Sequence, residues 1–425
     1  MSNTGAARPL PKTLDVAVIG GGIIGVSTAY ALARAGVRVG VFEKGHIGGE
    51  QSSRNWGWVR TLGRDPAEVP LAIRAKQLWA DIQAQVDVGF RNTGVLYLQE
   101  TDADRQQHQG WLQSVRDYGV DATLLERAAL SSLIPASARQ WSGAMYSASD
   151  GVAEPAIATQ RIADLARQAG ALVHENCAVR GVEQSGGKVS AVVTEHGAVA
   201  VQSALLAGGA WSRLFCGNLG VEFPQLKVRG SVLRTTALDA GPLAAINGKN
   251  FTCRKRGDGG YTVSQFGASM ADLVPDSFRL FGSFVRSWLR NRDFVRLRVG
   301  KRFFEELAVP RRFALDQVSP FERTRVLDPG PSQAGLRQAW QNVVHAFPEF
   351  AQARVAQSWA GYIDVTPDAL PVMSAVDAVP GLYLASGFSG HGFGIGPAAG
   401  EVMKDLLLGN RPAVDMGAFR LGRFL

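Results

Sequence analysis

The feature that most constrains this chain is a glycine triplet set between an apolar strand and a helix near its N-terminus. Leu14-Asp15-Val16-Ala17-Val18-Ile19 is a mostly apolar run of the kind that forms a buried parallel strand, and it ends in Gly20-Gly21-Gly22-Ile23-Ile24-Gly25. From Gly22 to Ala35 the pattern predicts a helix. Its small residues Gly25, Ser27, Ala29, Ala31 and Ala33 allow it to lie close to a sheet, and Gly36 ends it. Val37 to Phe42 reads as a second strand, with Glu43 at its end, 23 residues after Gly20. In Gly-x-Gly-x-x-Gly the first glycine permits the tight turn, the second lets a pyrophosphate approach the backbone, and the third lets helix and strand pack. The helix N-terminus then presents N–H groups to the anion. Glu43 is placed to accept hydrogen bonds from ribose hydroxyls. Because strand, helix, second strand and acid are all present, the motif predicts a dinucleotide site, although it does not separate FAD from NAD.

Later segments return to the same character. Pro155 to Gln168 reads as a helix closed by Gly170. The stretch from Leu172 to Ala207 reads as strands, with a turn at Ser185-Gly186-Gly187-Lys188. Leu382 to Ala385 reads as a strand, followed by the glycine-rich turn Gly387-Phe388-Ser389-Gly390-His391-Gly392-Phe393-Gly394-Ile395-Gly396 and a helix from Pro397 to Leu407. Such a helix start can stabilise negative charge on a bound group, or it can be a plain strand–turn–helix connection. Between these segments, Val221 to about Phe350 is richer in Arg and Phe and poorer in Ala. The expected fold is α+β: a Rossmann-like nucleotide domain assembled from 12–85, 151–221 and 352–425, with an inserted antiparallel-sheet substrate domain from 86–150 and 222–351.

Composition removes several alternatives. The 425 residues are 46% apolar, as in folded globular chains. Cys177, Cys216 and Cys253 form no CxxC pair, and with His46, His108, His174, His196 and His345 they show no metal-ligand spacing. No metal is therefore expected, and a reducing compartment is the simplest reading. Met1 to Lys12 is polar with no apolar core of the secretory type, and no run approaches 18 uninterrupted apolar residues. A cytoplasmic location is expected. Ser389 lacks the Gly-x-Ser-x-Gly spacing of a hydrolase elbow.

The net charge of +8 is concentrated. Phe278 to Arg325 holds 12 Lys and Arg against 5 Asp and Glu, so the remainder is nearly neutral. This argues against a nucleic-acid partner and for one local basic surface. Phe278, Phe281, Val285, Trp288 and Leu289 share a helical face, with Arg279, Arg286 and Arg290 around it. Two readings stand: a core-facing helix with a solvated arginine side, or a peripheral membrane contact across 278–325, at the inner membrane face.

Gly387-Phe388-Ser389-Gly390-His391-Gly392-Phe393 is similar to the flavin-binding loop of the monomeric sarcosine oxidases and related amine oxidases. Val69-Pro70-Leu71-Ala72-Ile73-Arg74, Leu78-Trp79 and Thr93-Gly94-Val95-Leu96 resemble the same enzymes. A stronger resemblance is to the Proteus-type L-amino-acid deaminases. It rests on Glu43-Lys44-Gly45, Gly49-Glu50-Gln51-Ser52, Asn176-Cys177-Ala178-Val179-Arg180-Gly181, Leu206-Ala207-Gly208-Gly209, Trp211-Ser212-Arg213-Leu214-Phe215, Pro320-Phe321-Glu322 and Gly396-Pro397-Ala398-Ala399-Gly400-Glu401-Val402. On these residues the chain is identified as a member of the D-amino-acid-oxidase-like FAD superfamily.

The resemblance implies oxidation of the C–N bond of an amino acid or related amine, with imine release and hydrolysis. The electron acceptor would be O2 or a respiratory-chain component. It implies that Ser52, Ser53, Arg54 and Asn55 line the pyrophosphate and isoalloxazine, that Val179 meets the adenine, and that Ala207, Gly208 and Gly209 pass close to the cofactor. Ile23, Ile24, Lys44, Trp211, Gly387, Gly390, His391, Gly392, Phe393 and Gly394 are expected around it. Related dehydrogenases can carry flavin on a histidine near position 54, where this chain has Arg54, and no cysteine follows Cys253. Non-covalent FAD is therefore expected. The usual carboxylate-gripping arginines are missing from Trp359-Ala360-Gly361-Tyr362-Ile363-Asp364 and from Tyr261-Thr262-Val263-Ser264-Gln265-Phe266, and Gly394 stands where sarcosine oxidase carries a lysine. Arg60 approximately matches a substrate-binding arginine of sarcosine oxidase, or is a surface or phosphate contact. Arg60, Tyr261 and His391 are the expected catalytic residues. An opine- or N-alkyl-amino-acid-type dehydrogenase, or the flavin subunit of a larger dehydrogenase, shares these features.

Overall fold

The computed structural model describes residues 9–134, 137–265, 269–291 and 295–424. Two sheets organise it. The strand Thr13–Ile19 is central in the first, parallel to Val39–Phe42 on one side and to Gly197–Leu206 on the other. Leu172–His174 extends one edge and Leu382–Ser386 the other, both parallel, and Val372–Ala375 adds an antiparallel strand. Val16, Ala17 and Val18 are buried because helices cover one face and a hairpin with its neighbours the other. That hairpin, Val179–Ser185 and Lys188–Thr194, turns at Gly186 and Gly187, both with positive φ (58° and 76°), a conformation that glycine adopts without side-chain strain.

Helix Ile23–Arg34 lies between Pro155–Gln168 and Gly392–Leu407. Their approach depends on missing side chains. A Cβ on Gly25 would stand 2.0 Å from the Gly20 carbonyl oxygen, and one on Gly400 would stand 2.6 Å from the Ser27 carbonyl carbon. The expected Rossmann-like domain is thus formed.

The second sheet has ten strands and is mostly antiparallel, with two parallel pairings: Ala245–Asn247 on Val95–Gln99, and Ser269–Asp272 on Val295–Arg298. Its longest ladder joins Leu226–Thr235 to Val355–Val365 in antiparallel register, Leu226 opposite Val365. Helix Gln333–Ala346 packs against it over a core that includes Leu96, Phe251, Phe347 and Phe350. After Val365 the chain passes directly into the first sheet, so this ladder carries the boundary between the two lobes.

The basic stretch begins on two short helices, Pro275–Arg279 and Phe281–Asn291, broken at Leu280, and continues through the strand Val295–Arg298 and the helices Arg302–Leu307 and Pro320–Arg323. The face carrying Phe278, Phe281 and Leu289 is exposed at 64%, 61% and 55%. The core-facing reading of this helix is therefore corrected: Trp288 is exposed at 40% as well, and Val285 is half-buried. Residues 292–294 of the stretch lie outside the described residues.

Candidate active site

One long cleft begins where the central strand meets its helix. Gly20 sits at φ 109°, and a Cβ there would stand 2.5 Å from the Ala207 carbonyl oxygen. Glu43 braces this turn with both carboxylate oxygens: Gly21 N donates to one at 2.7 Å and Gly45 N to the other at 2.7 Å. Burial pushes its carboxyl above the ordinary range, against those two amide donors. Ser52 Oγ accepts from Ile23 N at 2.9 Å, so its own proton can be donated into the cleft. From here the wall runs past Phe42, Lys44, Val179, Ala207, Gly208 and Trp211 to Gly390, Gly392 and Phe393.

Glu50 ties the far wall together. It accepts from Lys44 Nζ at 2.7 Å, from Trp211 Nε1 at 3.0 Å and from Leu327 N at 3.0 Å, while the Lys44 ammonium lies 4.6 Å from the Trp211 ring centre. The loop after Leu382–Ser386 is shaped by Asp364. Its Oδ2 accepts from Gly387 N at 2.7 Å, from Ser386 Oγ at 3.2 Å and from Gln225 Nε2 at 3.3 Å. Burial raises its carboxyl above the usual value.

The helix that follows begins at Gly392, five residues before the expected start at Pro397. Close packing decides this. A Cβ on Gly396 would stand 2.7 Å from Ile23 Cγ1, so the glycine-rich segment lies against the first helix and is held helical by that contact.

A second cleft joins the first at Gln51, Asn55, Gly390 and Phe393. It opens between the lobes, bordered by Trp56, Trp58, Arg60, Arg64 and His391 on one side and by Ser231, Ser264, Gln265 and Ser332 on the other. Arg60 Nη1 donates to the Leu62 carbonyl, and its guanidinium lies 5.5 Å from the Trp58 ring centre and 5.4 Å from that of Tyr97. His391 Nδ1 is 2.9 Å from Glu68 Oε2, and Arg64 Nη1 is 3.9 Å from the same oxygen. Burial, then the Arg64 charge, push His391 down. Burial pushes Glu68 up, but His391 and Arg64 hold it below the usual carboxylate range. With its imidazole neutral and Nδ1 donating to Glu68, His391 presents Nε2 as an open acceptor.

Most predicted residues border these clefts. Gly20, Gly22, Ile23, Ile24, Glu43, Lys44, Ser52, Asn55, Val179, Ala207, Gly208, Trp211, Gly390, Gly392 and Phe393 line the first. Arg54, Arg60, His391 and Gly394 line the second. Gly25 and Gly387 instead set backbone geometry next to the first cleft, and Ser53 Oγ donates to the Glu50 carbonyl. Arg54 is a clamp that donates to Asp328, Leu327 O, Ala360 O and Gly49 O. Tyr261 is corrected. It is fully buried in the second core against Phe350, its hydroxyl near the Ala240 and Pro242 carbonyls, because its strand turns that side chain inward. None of the three cysteines borders either cleft, and among the described residues no metal-binding cluster exists.

Glu50 and Asp364 were present in segments already singled out, but nothing local marked them as anchors. Arg64 and Glu68 had no signal: an arginine and a glutamate four apart read as a surface pair.

Residues 15–406 match the family described as "DAO: FAD dependent oxidoreductase". The chain belongs to this family. Among solved structures it is similar to the L-amino acid deaminase of Proteus myxofaciens in complex with anthranilate, at 31% identity, covering 99% of this chain and 96% of that one with a TM-score of 0.96. It is 25% identical to the glycine oxidase of Geobacillus kaustophilus over 97% of both chains. It is 23% identical to the mitochondrial sarcosine dehydrogenase of Mus musculus, covering 99% of this chain but 42% of that protein, so it spans less than half of that relative's length.

FAD fits the first cleft on its own geometry. Bare glycine backbone at Gly20–Gly22 leaves room for a pyrophosphate, Glu43 stands at one end, and the helix start at Gly392 closes the other.

Proposed function

We propose that this protein oxidises the C–N bond of an amino acid or a related amine. The observation that carries the reading is the junction of the two clefts at Gln51, Asn55, Gly390 and Phe393, where a cationic, aromatic pocket opens onto the far end of the nucleotide cleft. Bound FAD, held non-covalently, supplies the redox chemistry. The chain binds, orients and excludes water: Trp56 and Trp58 wall the pocket, the arginines place an anionic end of the substrate, and the helix start at Gly392 favours negative charge nearby. When the imidazole is neutral with Nδ1 on Glu68, Nε2 of His391 is suited to take the amine proton. The similarity to an amino-acid deaminase, a glycine oxidase and a sarcosine dehydrogenase supports the same reading. The test is anaerobic titration with a panel of amines and both amino-acid enantiomers. At least one should bleach the flavin absorption. Bleaching by none would favour a flavin subunit that needs a further partner.

The basic lobe is proposed as a peripheral membrane contact, with a membrane electron carrier as acceptor. Phe278, Phe281, Leu289 and Phe304 are exposed beside arginines, and among the described residues no helix is long and apolar enough to cross a membrane. Each basic residue at an anionic surface contributes about 1 kcal/mol, and salt screens it. The protein should co-sediment with anionic vesicles at low salt and be released as salt rises. Joint charge reversal at Arg286, Arg290 and Arg296 should abolish binding without changing the flavin spectrum; the side chains of Arg290 and Arg296 lie outside the described residues. Wild-type protein left in the supernatant at low salt would end the idea.

A further inference from the structure

Three guanidinium groups, Arg54, Arg60 and Arg64, border the second cleft, and among the described residues lining it there is no carboxylate. Arg54 is committed to Asp328 and three backbone carbonyls. That leaves Arg60 and Arg64 on the cavity lining, with Glu68 Oε2 3.9 Å from Arg64 Nη1 and shared with His391. The pocket is therefore one negative charge short.

The two arginines are not equivalent. Arg60 is partly satisfied by the Leu62 carbonyl and by the Trp58 and Tyr97 rings, although its Nε is also buried without a hydrogen-bond partner. Arg64 is 6% exposed, and its Nη1 is buried with no hydrogen-bond partner. Its contact with Glu68 at 3.9 Å is an ion pair beyond hydrogen-bonding range. A buried guanidinium N–H without an acceptor is costly and rare unless a ligand or an ordered water supplies the acceptor. Gln265 Oε1, also on this cleft, is buried without a donor and suits an N–H of the ligand, not its carboxylate. The backbone of Arg64 is fixed, since its carbonyl accepts from Trp111 Nε1 at 2.7 Å. Asp150, which accepts from the amides of Thr61 and Leu62, holds the preceding turn. The group is thus pre-placed. Burial and the neighbouring Arg60 charge hold its guanidinium down, to about 10, so it is still charged at neutral pH and gains from a nearby anion.

We propose that Arg64 is the specificity-determining residue of this cleft, that it takes a monoanionic carboxylate on the substrate in place of the missing arginines of the family, and that Glu68 positions it together with His391. This rests on the second cleft being the substrate site.

The experiment uses the FAD-loaded protein and benzoate as an inert carboxylate, with benzyl alcohol as its neutral counterpart, read by calorimetry. Wild type should bind benzoate and not benzyl alcohol. Arg64→Met should weaken benzoate roughly 10- to 100-fold, as expected when a charged hydrogen bond is lost. Arg64→Lys should fall between, because the charge remains and the fork is gone. Arg60→Met should weaken binding less than Arg64→Met. Glu68→Gln should tighten it, since the pocket becomes more positive; a merely structural role for Glu68 would weaken it. Unchanged affinity in both Arg64 variants with the flavin spectrum intact, or a wild type that does not bind benzoate, would overturn the assignment. If benzoate binding depends on Arg64 while no amine bleaches the flavin, the assignment holds and the proposed reaction is what fails.

Discussion

Gly22→Val should yield a folded protein without FAD. The position tolerates a side chain as far as the backbone is concerned, since Gly22 sits at φ −74° and ψ 176°, ordinary extended geometry. The obstacle is space. Any Cβ there comes within 3.1 Å of Ser52 Oγ, and the branches of valine would occupy the strip of bare backbone along which a pyrophosphate must lie. The amide groups at the helix start would then have no anion within reach. The expected result is loss of the flavin absorption band with an unchanged far-ultraviolet circular dichroism spectrum. Wild-type protein precipitated with acid should release its FAD into the supernatant; yellow precipitate would show a covalent link. A yellow, FAD-loaded Gly22→Val protein would place the cofactor elsewhere.

Arg254→Met should cost about 3–5 kcal/mol of stability, the usual range for breaking a buried ion pair from one side. Arg254 is 1% exposed on the strand Thr252–Lys255 of the second sheet. It donates to Glu154 through Nη1 at 2.8 Å and Nη2 at 3.1 Å, and to the Trp56 carbonyl through Nε at 2.6 Å. Glu154 precedes helix Pro155–Gln168 and also accepts from Arg91 at 3.0 Å and Gly257 N at 2.8 Å. One arginine therefore ties the second sheet to the first lobe and fixes Trp56 beside the substrate cleft. Burial would raise the Glu154 carboxyl, but Arg254 overrides it and holds it down, to about 2 against an ordinary 4.5. Because the folded value is depressed, the contribution is complete above pH 4.5 and is lost as pH falls toward 2. It amounts to about 3 kcal/mol. Urea midpoints measured between pH 6 and pH 3 should fall less steeply in Arg254→Met than in wild type. Parallel slopes would mean that the pair does not couple as its geometry requires.

The nucleotide half was legible in the sequence because its constraints are local. A strand, a glycine turn, a helix of small residues and a terminal acid lie within about thirty residues, so one segment specifies both the fold and the phosphate site. The loop 387–394 was legible as a glycine-rich turn, and Gly387 and Gly390 do sit at φ 75° and 87°, but its place beside a flavin came from the resemblance. Its helix start was misplaced because Pro397 is a strong local signal, whereas the contact of Gly396 with Ile23 joins segments far apart in sequence. Tyr261 was read as a site residue from the family resemblance alone. Which face of its strand turned inward depended on pairing with Leu226–Thr235 and Thr252–Lys255.

By itself, then, the sequence determined that the chain folds around a dinucleotide cleft, because glycine geometry and strand–helix alternation act over short distances and leave few alternatives. Only the tertiary structure decided what faces that cleft. It set Arg64, Glu68 and His391 together across 323 residues of sequence separation between the last two. It ran Val355–Val365 along Leu226–Thr235 to join the lobes, and it left the Phe278–Leu289 face in solvent. Charge pairing, burial and sheet register are properties of segments brought together, and no spacing within one segment encodes them.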